Sequence, residues 1–92
     1  MLHEERSALS NQTLDMKRAI DSLREELEAI DWYRQRAEAC DDADLRDIMT
    51  HNMHEEQEHA AMLLAWIKNH DKNMDAMLAT FLPRASKDIV KE

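Results

Sequence analysis

The chain contains no glycine in its 92 residues and only one proline, Pro83. Tight turns between β-strands usually need glycine or another residue that tolerates positive φ, so a fold built from strand hairpins is excluded. We therefore predict an all-α protein, an antiparallel two-helix hairpin followed by a short C-terminal helix. Residues 1–92 are expected to form a single half-bundle domain, with a core over about residues 10–82 and a flexible tail over 83–92.

Apolar residues that recur three and four positions apart predict the two long helices. The first is expected from near residue 10 to near 39, and the second from near 44 to near 70. An acidic stretch between them predicts the turn, and Asp42 or Asp44 could cap the second helix, since a carboxylate there accepts hydrogen bonds from free amides. A third, short helix is predicted over about residues 74–82, ending before the proline.

The apolar stripes of the two long helices are too extensive for one hairpin to bury. On the first helix the stripe comprises Met16, Ile20, Leu23, Leu27, Ile30 and Ala37. On the second it comprises Leu45, Ile48, Asn52, Leu63, Trp66 and Ile67. Small chains with weak cores often need a metal or a partner chain. We therefore expect at least a dimer, in which two hairpins form a four-helix bundle.

The composition excludes several classes of function. The formal net charge is −8, from 20 acidic and 12 basic residues, whereas nucleic-acid binding needs a concentrated positive field. No apolar run approaches the ~20 residues of a membrane span, and the N-terminal residues lack the order of a signal peptide. Cys40 is the only cysteine, which favours a reducing compartment. We expect a cytoplasmic protein that binds neither nucleic acid nor membranes.

A glutamate and a histidine interrupt the apolar stripe of the second helix. At about 100° per residue, Glu56 and His59 fall inside the apolar arc rather than on the solvent side. A lone buried carboxylate is costly, so Glu56 needs a partner or a metal ion. The two residues form Glu-x-x-His, and this i, i+3 spacing lets a carboxylate oxygen and an imidazole nitrogen converge on one ion.

The first helix offers a matching carboxylate in Glu26, which flanks the stripe next to Leu27. Ferritin-like di-iron bundles take one Glu from each of two helices and Glu-x-x-His from each of the other two. This chain holds one of each, so two copies around a two-fold axis would supply four carboxylates and two imidazoles. Such a ligand set suits iron or manganese better than a soft metal.

Two other interpretations of this pattern remain open. Glu-x-x-His occurs by chance in acidic helices, and a glutamate at the edge of a core is often only structural. The chain could therefore be a non-catalytic assembly module, in which a metal ion only joins two chains. It could also be a helical-hairpin interaction protein with no metal role.

Two longer segments resemble the encapsulated ferritins. They are REELEAIDWYRQRAEA (residues 24–39) and HNMHEEQEHAAMLLAWI (residues 51–67), and the third-helix segment ending in TFLP is also similar. The resemblance covers about residues 10–83, in order and with matching separations. EELEA-x-DWY together with EE-x-EHAAM is too specific a combination to expect by chance.

The resemblance implies a ferroxidase that oxidises Fe(II) to Fe(III) and feeds iron storage inside a cytoplasmic encapsulin nanocompartment. It also implies a ring-shaped homodecamer, a pentamer of dimers, with a di-iron centre at each dimer interface. Glu26, Glu56 and His59 match the ferroxidase ligands of the family, and Tyr33 matches the tyrosine beside the centre. We therefore expect these four residues to carry catalysis.

Two further groups match secondary metal sites of the family, for which calcium is an alternative to iron. The uptake group is Glu25, Glu28 and Trp32. The outer group is His51, Glu55 and Glu58. The uptake group shares the face opposite the main stripe, and a tryptophan there favours contact with another subunit over a merely solvated acidic face.

Encapsulin cargo normally carries a C-terminal targeting peptide, often with Gly-Ser-Leu. This chain has no glycine and ends PRASKDIVKE. Partnership with an encapsulin shell protein is therefore implied by the resemblance alone.

Overall fold

The computed structural model describes all 92 residues, and every regular element in it is helical. Helix α1 spans Asn11–Ala39, α2 spans Ala43–His70 and α3 spans Lys72–Phe81. Short 3₁₀ turns precede α1 at Arg6–Ala8 and follow α3 at Ser86–Asp88. The predicted all-α hairpin with a short third helix is confirmed.

Each of the three helices begins at a residue whose side chain caps it. The Ser10 hydroxyl accepts a hydrogen bond from the Thr13 amide at 3.1 Å. At the start of α2, the Asp42 carboxylate accepts one from the Leu45 amide at 2.8 Å. Asp71 caps α3 in the same way at 2.9 Å. These bonds satisfy amides that have no partner within the helix, so they fix where each helix starts.

Asp42, rather than Asp44, is thus the cap of α2. Asp44 lies in the first turn, where its negative charge interacts favourably with the positive end of the helix dipole. Helix α3 begins at Lys72, two residues before the predicted start at Met74. The reason is that Asp71 is both the C-cap of α2 and the N-cap of α3. It is the single residue between the two helices.

The two long helices pack along each other, whereas α3 contacts α2 and no other helix. The α2–α3 junction carries an ion pair between Lys68 Nζ and Asp75 Oδ1 at 3.1 Å. The chain measures 51 × 37 × 19 Å along its principal axes, the dimensions of an elongated hairpin with a projecting arm. None of the helices combines the length and apolarity needed to cross a membrane.

The core of one copy is very small. Only four residues are buried, namely Ala19, Ala37, Ala60 and Ile67. By contrast, the stripe residues Leu27 and Ile48 expose 54% and 55% of their surface. A single hairpin therefore leaves much of the predicted apolar stripe in contact with solvent, which is costly at about 25 cal/mol per Å² of apolar surface. This uncovered face is where the predicted second hairpin would pack.

The segment after α3 is held by one arginine. The Arg84 guanidinium lies 4.5 Å from the centre of the Phe81 ring and donates to the carbonyl oxygen of Ile89 at 3.1 Å. It also donates to the carbonyl oxygen of Lys91. These contacts fold residues 84–91 back towards the end of α3, and the flexibility expected for residues 83–92 remains a prediction.

Candidate metal centre

Three side chains from the two long helices converge along the hairpin. Glu26 comes from α1, and Glu56 and His59 come from consecutive turns of α2. One ligand atom from each residue lies within 4.8 Å of the ligand atoms of the other two. The structure therefore brings together all three residues for which the sequence predicts the main metal site.

The distances within this cluster fit ligands of one ion better than they fit hydrogen bonds. His59 Nδ1 lies 3.6 Å from Glu26 Oε2 and 3.6 Å from Glu56 Oε2. Hydrogen bonds between nitrogen and oxygen are shorter, at about 2.7–3.2 Å. Adjacent ligands on a divalent ion with bonds of about 2.1 Å are roughly 3 to 3.5 Å apart. The two His59 distances are thus only slightly wider than the spacing of ligands around one ion.

The cluster is partly shielded from water, and no lysine or arginine pairs with its carboxylates. The side chains of Glu26 and Glu56 are 22% and 25% exposed, and that of His59 is 43% exposed. Glu26 Oε2 is buried and has no hydrogen-bond partner. A buried carboxylate oxygen without a hydrogen-bond donor is costly, so a cation bound here would lower that cost. Two carboxylates with one imidazole form a donor set that suits iron or manganese.

Tyr33 and Trp32 lie further along α1, beneath a shared arginine. The Arg36 guanidinium carbon is 5.6 Å from the centre of the Trp32 ring and 5.7 Å from that of Tyr33. Both distances are within range of cation–π attraction. The structure thus places Tyr33 against Arg36, a contact that the sequence analysis missed, although the i, i+3 and i, i+4 spacing could have indicated it. A role for Tyr33 beside the metal remains a prediction.

The secondary groups do not form complete sites within one copy. The cluster of Glu26, Glu56 and His59 is the one set of three or more acidic, histidine or cysteine side chains that could hold an ion. All residues of the uptake group and the outer group are exposed. In the outer group, His51 Nε2 lies 3.8 Å from Glu55 Oε1. Both groups remain predictions that need a second copy or a bound ion to test.

A second charged cluster lies near the start of α1. Asp21 accepts a hydrogen bond from Lys17 Nζ at 2.9 Å and one from Arg24 at 3.3 Å. The hydrogen bond from Lys17 holds the pKa of Asp21 below its ordinary value, and the same bond raises the pKa of Lys17. The i, i+4 and i, i+3 spacing of these residues is typical of ion pairs on one helix face.

Comparison with known proteins gives a family and two similar relatives. The chain matches the EncFtn-like family model over residues 1–85. It is 46% identical over 80 residues to the encapsulated ferritin-like protein of Rhodospirillum rubrum, a match that covers 87% of this chain and 57% of that protein. It is 45% identical over 80 residues to the ferritin-like protein of Thermotoga maritima, covering 87% and 70%. The chain thus spans little more than half the length of the Rhodospirillum rubrum protein.

A solved structure has the same fold. The crystal structure of protein ne0167 from Nitrosomonas europaea superposes with a TM-score of 0.87 at 50% sequence identity, over 92% of this chain and 93% of that one. The family match covers almost the whole chain, and the sequence segments that resembled encapsulated ferritins lie within it. The chain belongs to the EncFtn-like family.

Proposed function

We propose that this protein is a ferroxidase, which oxidises Fe(II) to Fe(III) at a di-iron centre completed between two copies. The observation that carries the proposal is the convergence of Glu26, Glu56 and His59, with one carboxylate oxygen buried and without a partner. The names of the relatives, an encapsulated ferritin-like protein and a ferritin-like protein, support iron as the metal.

The surface around the cluster supports its completion by a second copy. Leu27, the residue after Glu26, is 54% exposed, and Met62, one turn after His59, is 58% exposed. Exposed apolar surface of this kind, beside a possible ligand cluster, is typical of an interface. A two-fold axis here would bring two half-sites together, so that each pair of copies holds two iron ions with four carboxylates and two imidazoles.

The reaction follows from the charge of the ligands. Iron is the substrate, and each Fe(II) ion loses one electron. With dioxygen as the oxidant, two ions supply the two electrons that reduce it, with two protons, to hydrogen peroxide. Glu26 and Glu56 stabilise the product more than the reactant, because hard anionic oxygens favour the higher charge of Fe(III). His59 binds through Nδ1, and Tyr33 donates a hydrogen bond that orients a ligating carboxylate.

The secondary groups supply and surround the centre in this proposal. Glu25 and Glu28 attract Fe(II) through their negative charge and replace its bound water in steps, with Trp32 against a neighbouring subunit. The outer group, His51 with Glu55 and Glu58, binds a further cation, for which calcium is the alternative to iron. Replacing Glu25 and Glu28 by Gln should slow oxidation at low Fe(II) while leaving the maximal rate, whereas an equal loss at all Fe(II) concentrations would contradict the uptake role.

We extend the proposal to assembly and storage. A two-helix hairpin encloses no storage cavity, so oxidised iron must be stored elsewhere. The name of one relative, an encapsulated ferritin-like protein, supports a cytoplasmic encapsulin shell as that place. Inside the shell, the protein would form a ring-shaped decamer. Co-expression with an encapsulin shell protein tests this, because cargo elutes with shell-sized particles on size-exclusion chromatography and free protein does not.

The test of the activity is aerobic Fe(II) oxidation by the wild type and by Glu56→Ala, followed by Fe(III) absorbance. Gln57→Ala is the matched control, because residue 57 is exposed and adjacent on the same helix. The expected result is loss of at least about a hundredfold in rate for Glu56→Ala and almost none for Gln57→Ala. Oxidation that persists in Glu56→Ala would make the site assignment wrong. Metal-dependent assembly of the wild type without turnover would instead support the metal-joined assembly module.

A further inference from the structure

Arg36 on α1 is a cation that contacts two aromatic rings instead of a carboxylate. Its guanidinium carbon lies 5.6 Å from the centre of the Trp32 ring and 5.7 Å from that of the Tyr33 ring. Arg18 and Arg24 of the same helix form ion pairs at 2.7 and 3.3 Å, whereas Arg36 forms none. In a chain with 20 acidic residues, this placement needs a reason.

The sequence around Arg36 leaves its side chain only the two rings. On a helix, a long side chain reaches the residues three and four positions away. For Arg36 these are Trp32, Tyr33, Ala39 and Cys40, none of which is acidic. The planar guanidinium stacks well on aromatic faces. Such contacts at exposed sites are weak, so we expect them to orient the rings rather than to stabilise the fold.

The two rings belong to different faces of α1, and Arg36 lies between them. Tyr33 and Trp32 each follow a glutamate, Glu26 and Glu25 respectively, by seven residues, which on a helix is a turn of only about 20°. Arg36 points about 60° from Tyr33 and about 40° from Trp32, in the sector between the two. Burial agrees, because Tyr33 is half-buried whereas Trp32 is 48% exposed.

We propose that Arg36 is a positioning residue for Tyr33, which it holds on the face of α1 that carries Glu26. Long side chains on a helix lean towards its N-terminus, and this is the direction from Tyr33 to Glu26. The Tyr33 hydroxyl is thereby directed at the ligating carboxylates, and Trp32 fixes the guanidinium from the other side. The inference rests on the proposed ferroxidase function, in which Tyr33 donates a hydrogen bond to a ligand.

Steady-state oxidation of Fe(II) by the native protein tests the effect on the reaction. Arg36→Gln should lower kcat about five- to tenfold with little change in KM for Fe(II), because Tyr33 acts on iron that is already bound. Arg36→Lys keeps the charge and should lie between Arg36→Gln and the wild type. Arg34→Gln is the matched control, since Arg34 is an exposed arginine of the same helix that contacts neither ring. A raised KM with unchanged kcat would assign Arg36 to Trp32 and the uptake group, and would overturn the proposal.

Removal of the tyrosine hydroxyl separates positioning from general structural damage. Tyr33→Phe keeps the ring but lacks the donor, so in this background Arg36→Gln should lower kcat by less than about twofold. An effect of Arg36→Gln that is as large in this background as in the wild type would overturn the proposal. Native mass measurement should show the same assembly for Arg36→Gln and Arg34→Gln. Assembly lost in Arg36→Gln alone would make Arg36 a contact between copies instead.

Fluorine NMR tests the ring position without metal and without turnover. Tyr33 is the only tyrosine in the chain, so incorporation of 3-fluorotyrosine gives a single reporter. Arg36→Gln should move its chemical shift most of the way to the value in urea, and Arg34→Gln should leave it close to that of the wild type. Equal changes in the two variants, or none in either, would overturn the proposal. A wild type that passes this test but does not oxidise Fe(II) supports the positioning of Tyr33 and contradicts only the ferroxidase function.

Discussion

His59 Nδ1 on α2 lies 3.6 Å from Glu26 Oε2 on α1. The two residues are 33 positions apart in the chain, so this approach depends on how the two helices are aligned rather than on the geometry of either one. An ion bound between them would join the two helices of one copy, in addition to any role in joining two copies. Metal binding and the stability of the hairpin should therefore be coupled.

The first prediction concerns metal affinity. Glu26→Gln keeps the shape of the side chain but removes its charge, so affinity for Fe(II) or Mn(II) should fall by at least about tenfold. Anaerobic isothermal titration calorimetry with Fe(II) or Mn(II) measures this affinity. Glu38→Gln is the control, because Glu38 is an exposed residue of the same helix outside the cluster. Unchanged binding by Glu26→Gln would exclude Glu26 as a ligand.

The second prediction is that the same substitution stabilises the metal-free protein. Glu26 and Glu56 repel each other across less than 4.8 Å, and Glu26 Oε2 has no hydrogen-bond partner. A neutral amide relieves the repulsion and can donate to Glu56, so the free energy of unfolding should rise by about 1 kcal/mol. Urea unfolding with a chelator, at fixed protein concentration, measures it. Destabilisation by Glu26→Gln, with Glu38→Gln as reference, would mean that the carboxylate has a stabilising protein partner.

The third prediction concerns the cap of α2. Asp42→Ala removes the acceptor of the 2.8 Å hydrogen bond from the Leu45 amide. The free energy of unfolding should fall by about 1 kcal/mol. Asp41→Ala is the matched control, since the neighbouring carboxylate makes no capping bond. If the two variants unfold at the same urea concentration, the start of α2 is held by packing rather than by its cap.

The fourth prediction is a pH dependence of stability. The pKa of Asp21 is lowered from 3.8 by the hydrogen bond from Lys17, so its contribution is present above pH 3.8 and is lost as the pH falls below it. The pKa of Lys17 is raised from 10.5, so its contribution is present below pH 10.5 and is lost above it. Asp21→Asn should therefore lower the thermal midpoint at neutral pH and have little effect in strong acid.

Thermal unfolding of Asp21→Asn and wild type across this pH range measures the difference, with Asp47→Asn as control because Asp47 forms no ion pair. The effect should be small, since the pair is on the surface and salt screens it. A difference between Asp21→Asn and wild type that persists in strong acid, well below pH 3.8, would show that Asp21 acts through packing rather than charge.

The helices could be predicted closely from the sequence because their signals are local. The absence of glycine, the three- and four-residue apolar spacing and the capping aspartates act within one helix each, and both long helices end within one residue of the prediction. The predicted start of α3 is two residues late, because Asp71 is at once the C-cap of α2 and the N-cap of α3. No glycine or proline marks the end of α2 there.

The site could be predicted only in part. The spacing of Glu56 and His59 follows from helix geometry, but the approach of Glu26 depends on the relative rotation of two helices, which periodicity does not determine. The position of Glu26 beside the apolar stripe suggested the approach, and the resemblance to encapsulated ferritins supported it. Contacts such as the stacking of His70 on Trp66 at 3.9 Å were missed, since they depend on side-chain conformations that no sequence pattern specifies.

Three alanines and one isoleucine make up all that a single copy buries. So few buried side chains cannot hold a newly synthesised chain folded for long, and its survival should depend on how soon it meets another. Dilution alone should then promote unfolding, and the thermal midpoint should rise with protein concentration. In a cell, proteases would degrade the protein faster at low concentration, where more of it is unassembled. The amount of folded protein should therefore rise more than proportionally with the rate of synthesis.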